Sequence, residues 1–241
     1  MLGYPDQALT RSHELLTYAQ ELSHTYSLSR ALRHTAVLHR LRREWSAAQE
    51  RAEAVLAITT EQGLGQPMGA LTLARGEALA AQGQGEAGIV QMHQGLATIR
   101  ATGQRLALSA HLARLAEACG HSGQAEEGLR LLAEALVHVN HTGERYYEAE
   151  VYRLKGELLL RQAVLDSPQA ETCFQQALAI ARRQQAKSWE LRAATSLTRL
   201  WQQQGKRQEA HDLLAPIYAW FTEGFGTVDL QESQALLDEL A

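Results

Sequence analysis

Gly83-Gln84-Gly85-Glu86-Ala87-Gly88 has the spacing of a GxGxxG phosphate cradle. That chemistry needs the glycines to follow a strand and open a helix, so that backbone N–H groups meet a pyrophosphate. Here the run lies between two helix-forming stretches, so an interhelical turn followed by a small packing residue is expected. Gly120-His121-Ser122-Gly123 is its counterpart further along the chain. No GxxxxGK[ST] run occurs, and nucleotide hydrolysis by this chain is not expected.

Histidine offers metal chemistry. His138 and His141 stand three apart, and His34 and His39 five apart. Zinc wants three or four converging ligands, and no cysteine or carboxylate completes either pair at a recognisable spacing. HExxH is absent, so these histidines are expected at helix ends or on the surface. Cys119 and Cys173 could be nucleophiles only with a neighbouring base and a lowered pKa. Their sequence surroundings supply neither, and the reading is of small buried apolar residues. Asn140-His141-Thr142 is a glycosylation sequon without a secretory context. Among the tryptophans, Trp201 falls on a core face. Trp189 and Trp220 either pack in the core or anchor a partner. Nothing here assembles a catalytic set, and neither an enzyme nor a cofactor or metal is expected.

The 241 residues carry a net charge of −4 and a sequence pI near 6.2. That balance argues against a dedicated nucleic-acid binder, which needs a basic face for phosphates. Two cysteines in similar helical patterns do not suggest a disulfide framework. The first residues lack a basic, apolar leader, and no uncharged apolar run approaches the roughly 18 residues of a membrane span. The expectation is a cytoplasmic protein with no membrane contact.

The elements that position these residues are helices in a repeat. A small residue followed four and seven positions later by packing residues recurs as Ala8-Ser12-Leu15, Ala48-Ala52-Val55, Gly88-Met92-Gly95, Gly128-Leu132-Ala135, Ala170-Phe174-Ala177 and Ala210-Leu214-Ile217. The starting positions are separated by 40, 40, 40, 42 and 40 residues. Gly63, Gly103 and Gly143 also stand 40 apart, each after a helix-like run, and read as left-handed helix stops. The i, i+4, i+7 spacing puts each trio on one helical face, and the small residues let a second helix approach closely. Helices are expected near 5–24, 27–42, 45–62, 66–82, 85–102, 105–120, 124–141, 144–163, 168–184, 188–204, 207–222 and 229–240. Asp166-Ser167-Pro168 supplies a helix start after the longest break.

The trio, clearest in Ala170-Phe174-Ala177, resembles the second-helix half of the tetratricopeptide signature. The first-helix half places a glycine twelve residues earlier. Gly76 precedes Gly88 by twelve and Gly156 precedes Ala170 by fourteen, while Ala36 and Ala116 replace that glycine and Thr198 breaks it. The family's first-helix tryptophan is absent, and its period is nearer 34 residues. The resemblance implies an all-α fold: an α-solenoid of about six hairpins with a period near 40, wound as a right-handed superhelix. Repeats fall near 1–24, 27–62, 66–102, 105–141, 144–184 and 188–222, with a capping helix at 229–240, in a single domain 1–241.

The stretches 152–160, 186–192 and 220–225 also look similar to the C-terminal helical-repeat regions of bacterial multidomain ATPase and adenylate-cyclase-type signalling proteins. Position 5 opens on the second helix of a hairpin, and a piece of a longer protein is the expectation. The resemblance implies a non-catalytic protein-interaction or regulatory module. A small-molecule effector held in the concave groove is the alternative. Partners would be a protein, a peptide or an upstream domain, with self-association through the exposed first helix. In the family the first helix of each hairpin lines the groove. That register places Arg30, Arg33, Arg40, Glu77, Glu117, Arg153, Glu157, Arg161, Arg192 and Arg199 there. The groove is expected to be basic at both ends and acidic in the middle, its charges exposed enough that reversing Arg192 and Arg199 leaves folding nearly intact.

Overall fold

A computed structural model describes residues 1–62, 68–162 and 166–241. The described residues form helices and turns, with no strand among them. The helices are α1 (Pro5–Glu21), α2 (Thr25–Leu41), α3 (Trp45–Gln62), α4 (Met68–Ala81), α5 (Gly85–Ala101), α6 (Leu108–His121), α7 (Ala125–Thr142), α8 (Glu148–Leu159), α9 (Ser167–Arg183), α10 (Lys187–Gln203), α11 (Arg207–Tyr218) and α12 (Val228–Leu240). None is long and apolar enough to cross a membrane.

The chain divides into two compact units. One spans Pro5–Leu106; the other joins Ala107–Ala241 with Met1–Tyr4. In the first, α2 packs on α3 and α4 on α5; in the second, α6 packs on α7, α8 on α9 and α10 on α11. Within the second unit the leading helices of successive hairpins also touch, α6 on α8, α8 on α10 and α10 on α12. Each unit is therefore an α-solenoid segment whose hairpins follow one another in chain order.

The repeated trio is the core of each trailing helix except α1, where the expected packing position Leu15 is exposed because no preceding hairpin among the described residues covers that face. Val55, Met92, Leu132, Ala135, Ala170, Ala177, Ala210 and Leu214 are sealed from solvent, and Phe174 nearly so. Glycine sets the helix spacing in α4–α5. A methyl on Gly76 would stand 2.6 Å from the Gly88 carbonyl oxygen, and one on Gly69 2.6 Å from that of Gly95. Backbone thus meets backbone at two points along this pair. Where the sequence departs from that glycine the contact changes form. Thr198, twelve residues before Ala210, donates its hydroxyl to the Ala210 carbonyl at 3.3 Å. Gly156 instead leaves room for a ring, since a methyl there would come within 2.5 Å of Phe174.

Most of the described turns share one device. Gly83, Gly103, Gly123, Gly143 and Gly205 all have positive φ, and Ser23, Arg43 and Gln185 adopt the same conformation without being glycine. One left-handed residue after a helix lets the chain reverse while its N–H still bonds back to the last turn. Gly63 lies outside the described residues. The Gly83–Gly88 run forms the α4–α5 turn and the first turn of α5. Helix α9 starts at Ser167, with the Asp166 carboxylate accepting from the Gln169 N–H at 3.0 Å. Helices α6 and α8 begin later than the periodicity predicts. Ala107 takes a left-handed φ and gives its N–H to Glu144, so regular helix starts only at Leu108.

Candidate functional site

The leading helices of the second unit carry a row of ionised side chains that cross from helix to helix. On α8, Glu150, Arg153 and Glu157 stand three and four residues apart and share one face. Arg153 holds Glu150 and Glu157 at 2.5 Å each and reaches Glu117 of α6 at 3.6 Å. Arg192 of α10 reaches back to Glu150 at 3.7 Å and forward to Asp229 of α12 at 2.7 Å. Ser196 of α10 donates to Glu157 at 2.9 Å, and Arg199 pairs with Glu232 at 2.9 Å. Acid and base alternate from α6 to α12.

Burial grades this row. Glu150 is 2% exposed and Arg153 9%, whereas Glu117 keeps 35% of its side chain open, Glu157 26% and Arg199 46%. The inner members are fixed structure, and the outer ones still offer lone pairs or N–H groups to a ligand. Burial, together with the like charges of Glu150 and Glu157, holds the Glu117 carboxyl above its ordinary pKa against the pull of Arg153 and Arg192. Burial opposes ionisation of Glu157 too. There Arg153, the Ser196 hydroxyl and Arg161 outweigh it, and the pKa falls below the usual carboxylate value. Arg192 is held charged: burial disfavours the cation, but Asp229 and Glu150 outweigh it.

The structure thus brings together Glu117, Arg153, Glu157, Arg192 and Arg199 of the residues expected in the groove. Arg161, which is exposed, lies within electrostatic reach of Glu157. In the first unit Arg40 approaches Glu77 at 3.8 Å, both largely buried. Arg30 lies 6.0 Å from the Tyr26 ring centre, and Arg33 is half-buried. Two expectations are corrected. The basic end at Arg192 and Arg199 is neutralised, because Asp229 and Glu232 of α12 face it. Arg192 is not an exposed charge either. Reversing it would place a carboxylate between Glu150 and Asp229, a costly step where little water reaches.

Sequence reading missed Glu150, Asp229, Glu232 and Ser196. Glu150 carried a usable signal, three residues before Arg153 and seven before Glu157 on the same face. Asp229 and Glu232 did not, since α12 read only as a cap. Other singled-out residues resolve locally. Cys119 is fully buried, and that burial pushes its thiol up to about 11. Cys173 is also buried and raised for the same reason. His39 is buried at the end of α2, not surface-exposed, with its ring 2.6 Å from Glu44. Trp189 is core, 1% exposed and edge-on to Tyr147. Trp220 is partly exposed.

These paired helices and their stacked leading faces define the architecture as tetratricopeptide-like. Solved structures agree on the fold. NprR in complex with its cognate peptide NprX aligns with a TM-score of 0.73 at 14% identity, over 97% of this chain and 66% of that one. BtubC (BKLC) from P. vanneervenii gives 0.60 at 14% identity, over 98% and 89%. A Podosopora anserina kinesin light chain-type protein with nearly identical TPR-like repeats gives 0.55 at 22% identity, over 79% and 92%. At these identities the likeness concerns the fold alone. No protein-family model matches the chain, and no curated protein does.

Proposed function

We propose that the chain is a non-catalytic interaction module, a single tetratricopeptide-like array that binds an extended peptide or protein segment along its leading-helix face. The observation that carries this reading is the alternating row from Glu117 to Glu232. It is anchored by buried arginines and edged by half-open Glu117, Glu157 and Arg199. Such a row offers acceptors and donors at fixed spacing to a chain of mixed charge. NprR, which shares the fold, is solved in complex with its cognate peptide NprX, and that supports a peptide as the class of partner. A place as the C-terminal arm of a bacterial signalling ATPase or cyclase, working in the cytoplasm, fits the reading.

Peptides selected from a displayed random library against the intact chain test it. Their affinity is expected to fall roughly tenfold or more on the double variant Arg161→Glu/Arg199→Glu, the size of effect one lost charge-assisted contact produces. Both side chains are exposed enough for the variant to keep its helicity. Undiminished affinity on a folded variant refutes the reading.

Self-association belongs to the same proposal. Leu15 and Tyr18 on α1, with Leu22 in the turn just past its end, form an exposed apolar stripe. The positions matching Leu15 in the other repeats, Val55 and Ala135 among them, are buried. Sedimentation is expected to show a concentration-dependent dimer that Leu22→Glu abolishes. A wild-type chain that stays monomeric at high micromolar concentration removes this part.

A further inference from the structure

The first four residues pack with the second unit as a non-helical segment that bends at Gly3. Helix α10 starts without a side-chain cap at Ala186, leaving its first N–H groups to find other acceptors. The Ser188 N–H donates to the Met1 carbonyl at 3.0 Å. Gly3 follows with φ of +96° and lies buried between Lys187 and Trp220. A methyl group on it would come 2.5 Å from Trp220 Cζ3 and 2.8 Å from Lys187 Cβ. The Tyr4 ring then meets the Trp220 ring at 5.5 Å between centres. The Lys187 ammonium sits 5.4 Å from the same indole, and Phe221 braces it edge-on at 5.3 Å. Leu2 points no side chain into this arrangement; it is 65% exposed. Met1 lies within electrostatic reach of Arg192 and Asp229.

Each contact reads one chemical feature. The helix start reads a main-chain carbonyl. The slot beside Trp220 reads the absence of a side chain together with a backbone conformation that L-residues rarely adopt. The indole reads an aromatic ring. The position before the glycine is not read. We propose that Lys187, Ser188 and Trp220 form a docking site for a non-helical peptide in which glycine is followed by an aromatic residue, with Met1–Tyr4 as its resident occupant. A partner carrying the same pattern binds by displacing this segment. Lys187, Ser188 and Trp220 are not members of the ion-pair row, although the Met1 amino group lies within reach of its Arg192 and Asp229, and the variants below leave the row's residues unchanged.

The probe is a fluorescein-labelled peptide, Met-Leu-Gly-Tyr-Pro-Asp, titrated against the intact chain, Gly3→Val, and Gly3→Val/Trp220→Ala. Gly3→Val evicts the resident segment, so exchange of the Ser188 amide accelerates and Tm falls modestly with the loss of the docked segment, while circular dichroism keeps the wild-type helix content. The probe then binds Gly3→Val at least about tenfold tighter than wild type, whose tethered occupant competes at an effective concentration near millimolar. Adding Trp220→Ala abolishes that binding, and a probe with valine in place of glycine does not bind. Tyr4→Ala is the second route to an emptied site and gives the same gain in smaller measure. The proposal is overturned by unchanged Ser188 exchange in Gly3→Val. It is overturned equally by failure of the probe to bind the emptied site, or by binding that survives loss of Trp220.

Discussion

Glu117 and Glu157 belong to one network and titrate in opposite directions. Glu157 has a lowered pKa, so its ionised form stabilises the fold above the unfolded value of 4.5, and that gain disappears as pH falls through the lower folded value. Glu117 has a raised pKa, so its ionisation on the way to neutral pH works against the fold. Glu157→Gln is therefore expected to lower Tm at pH 7, and its deficit to shrink as the pH falls below the ordinary carboxylate range. Glu117→Gln leaves Tm at pH 7 unchanged or slightly higher. Thermal melts across that range check both, and a Glu117→Gln variant that loses as much as Glu157→Gln at pH 7 contradicts the network. The sequence placed both glutamates on one lining but could not set their difference. That difference depends on Glu150, two turns of α8 away from Glu157, and on Ser196, thirty-nine residues further on.

At the scale of helices, close approach and turn geometry separate cleanly by glycine. Gly76→Ala puts a methyl against the Gly88 carbonyl in the sealed α4–α5 interface, where overpacking costs about 1–3 kcal/mol. Gly143→Ala meets no atom within 4 Å, so only its left-handed backbone resists, at about 1 kcal/mol. Chemical denaturation is expected to rank Gly76→Ala as the more damaging; the reverse order would mean that the backbone contact is slack. The repeat of small residues made this legible in advance: Gly76 and Gly88 stood at the spacing that brings two helices together. Gly103 and Gly143 read correctly as left-handed stops. Ser23, Arg43 and Gln185 did not announce themselves, because their side chains give no sign of the positive φ they adopt. The late starts of α6 and α8 were hidden for a similar reason, since Glu144 acts on Ala107 across thirty-seven residues.

At the scale of the whole unit Ala107–Ala241, hairpins ordered along the chain place the leading helices α6, α8, α10 and α12 side by side, and the proposed function follows from what those helices present together. That ordering was written in the 40-residue period. The chemistry of the face was only half written, because Glu150, Arg153, Arg192 and Arg199 are each answered by a neighbour from another repeat. Hydrogen exchange across the whole chain, with and without a library-selected peptide at saturation, tests the central claim most directly. Slowed exchange is expected along α6, α8, α10 and α12, and little change in α7, α9 and α11. Protection confined to those trailing helices would contradict binding on the leading-helix face.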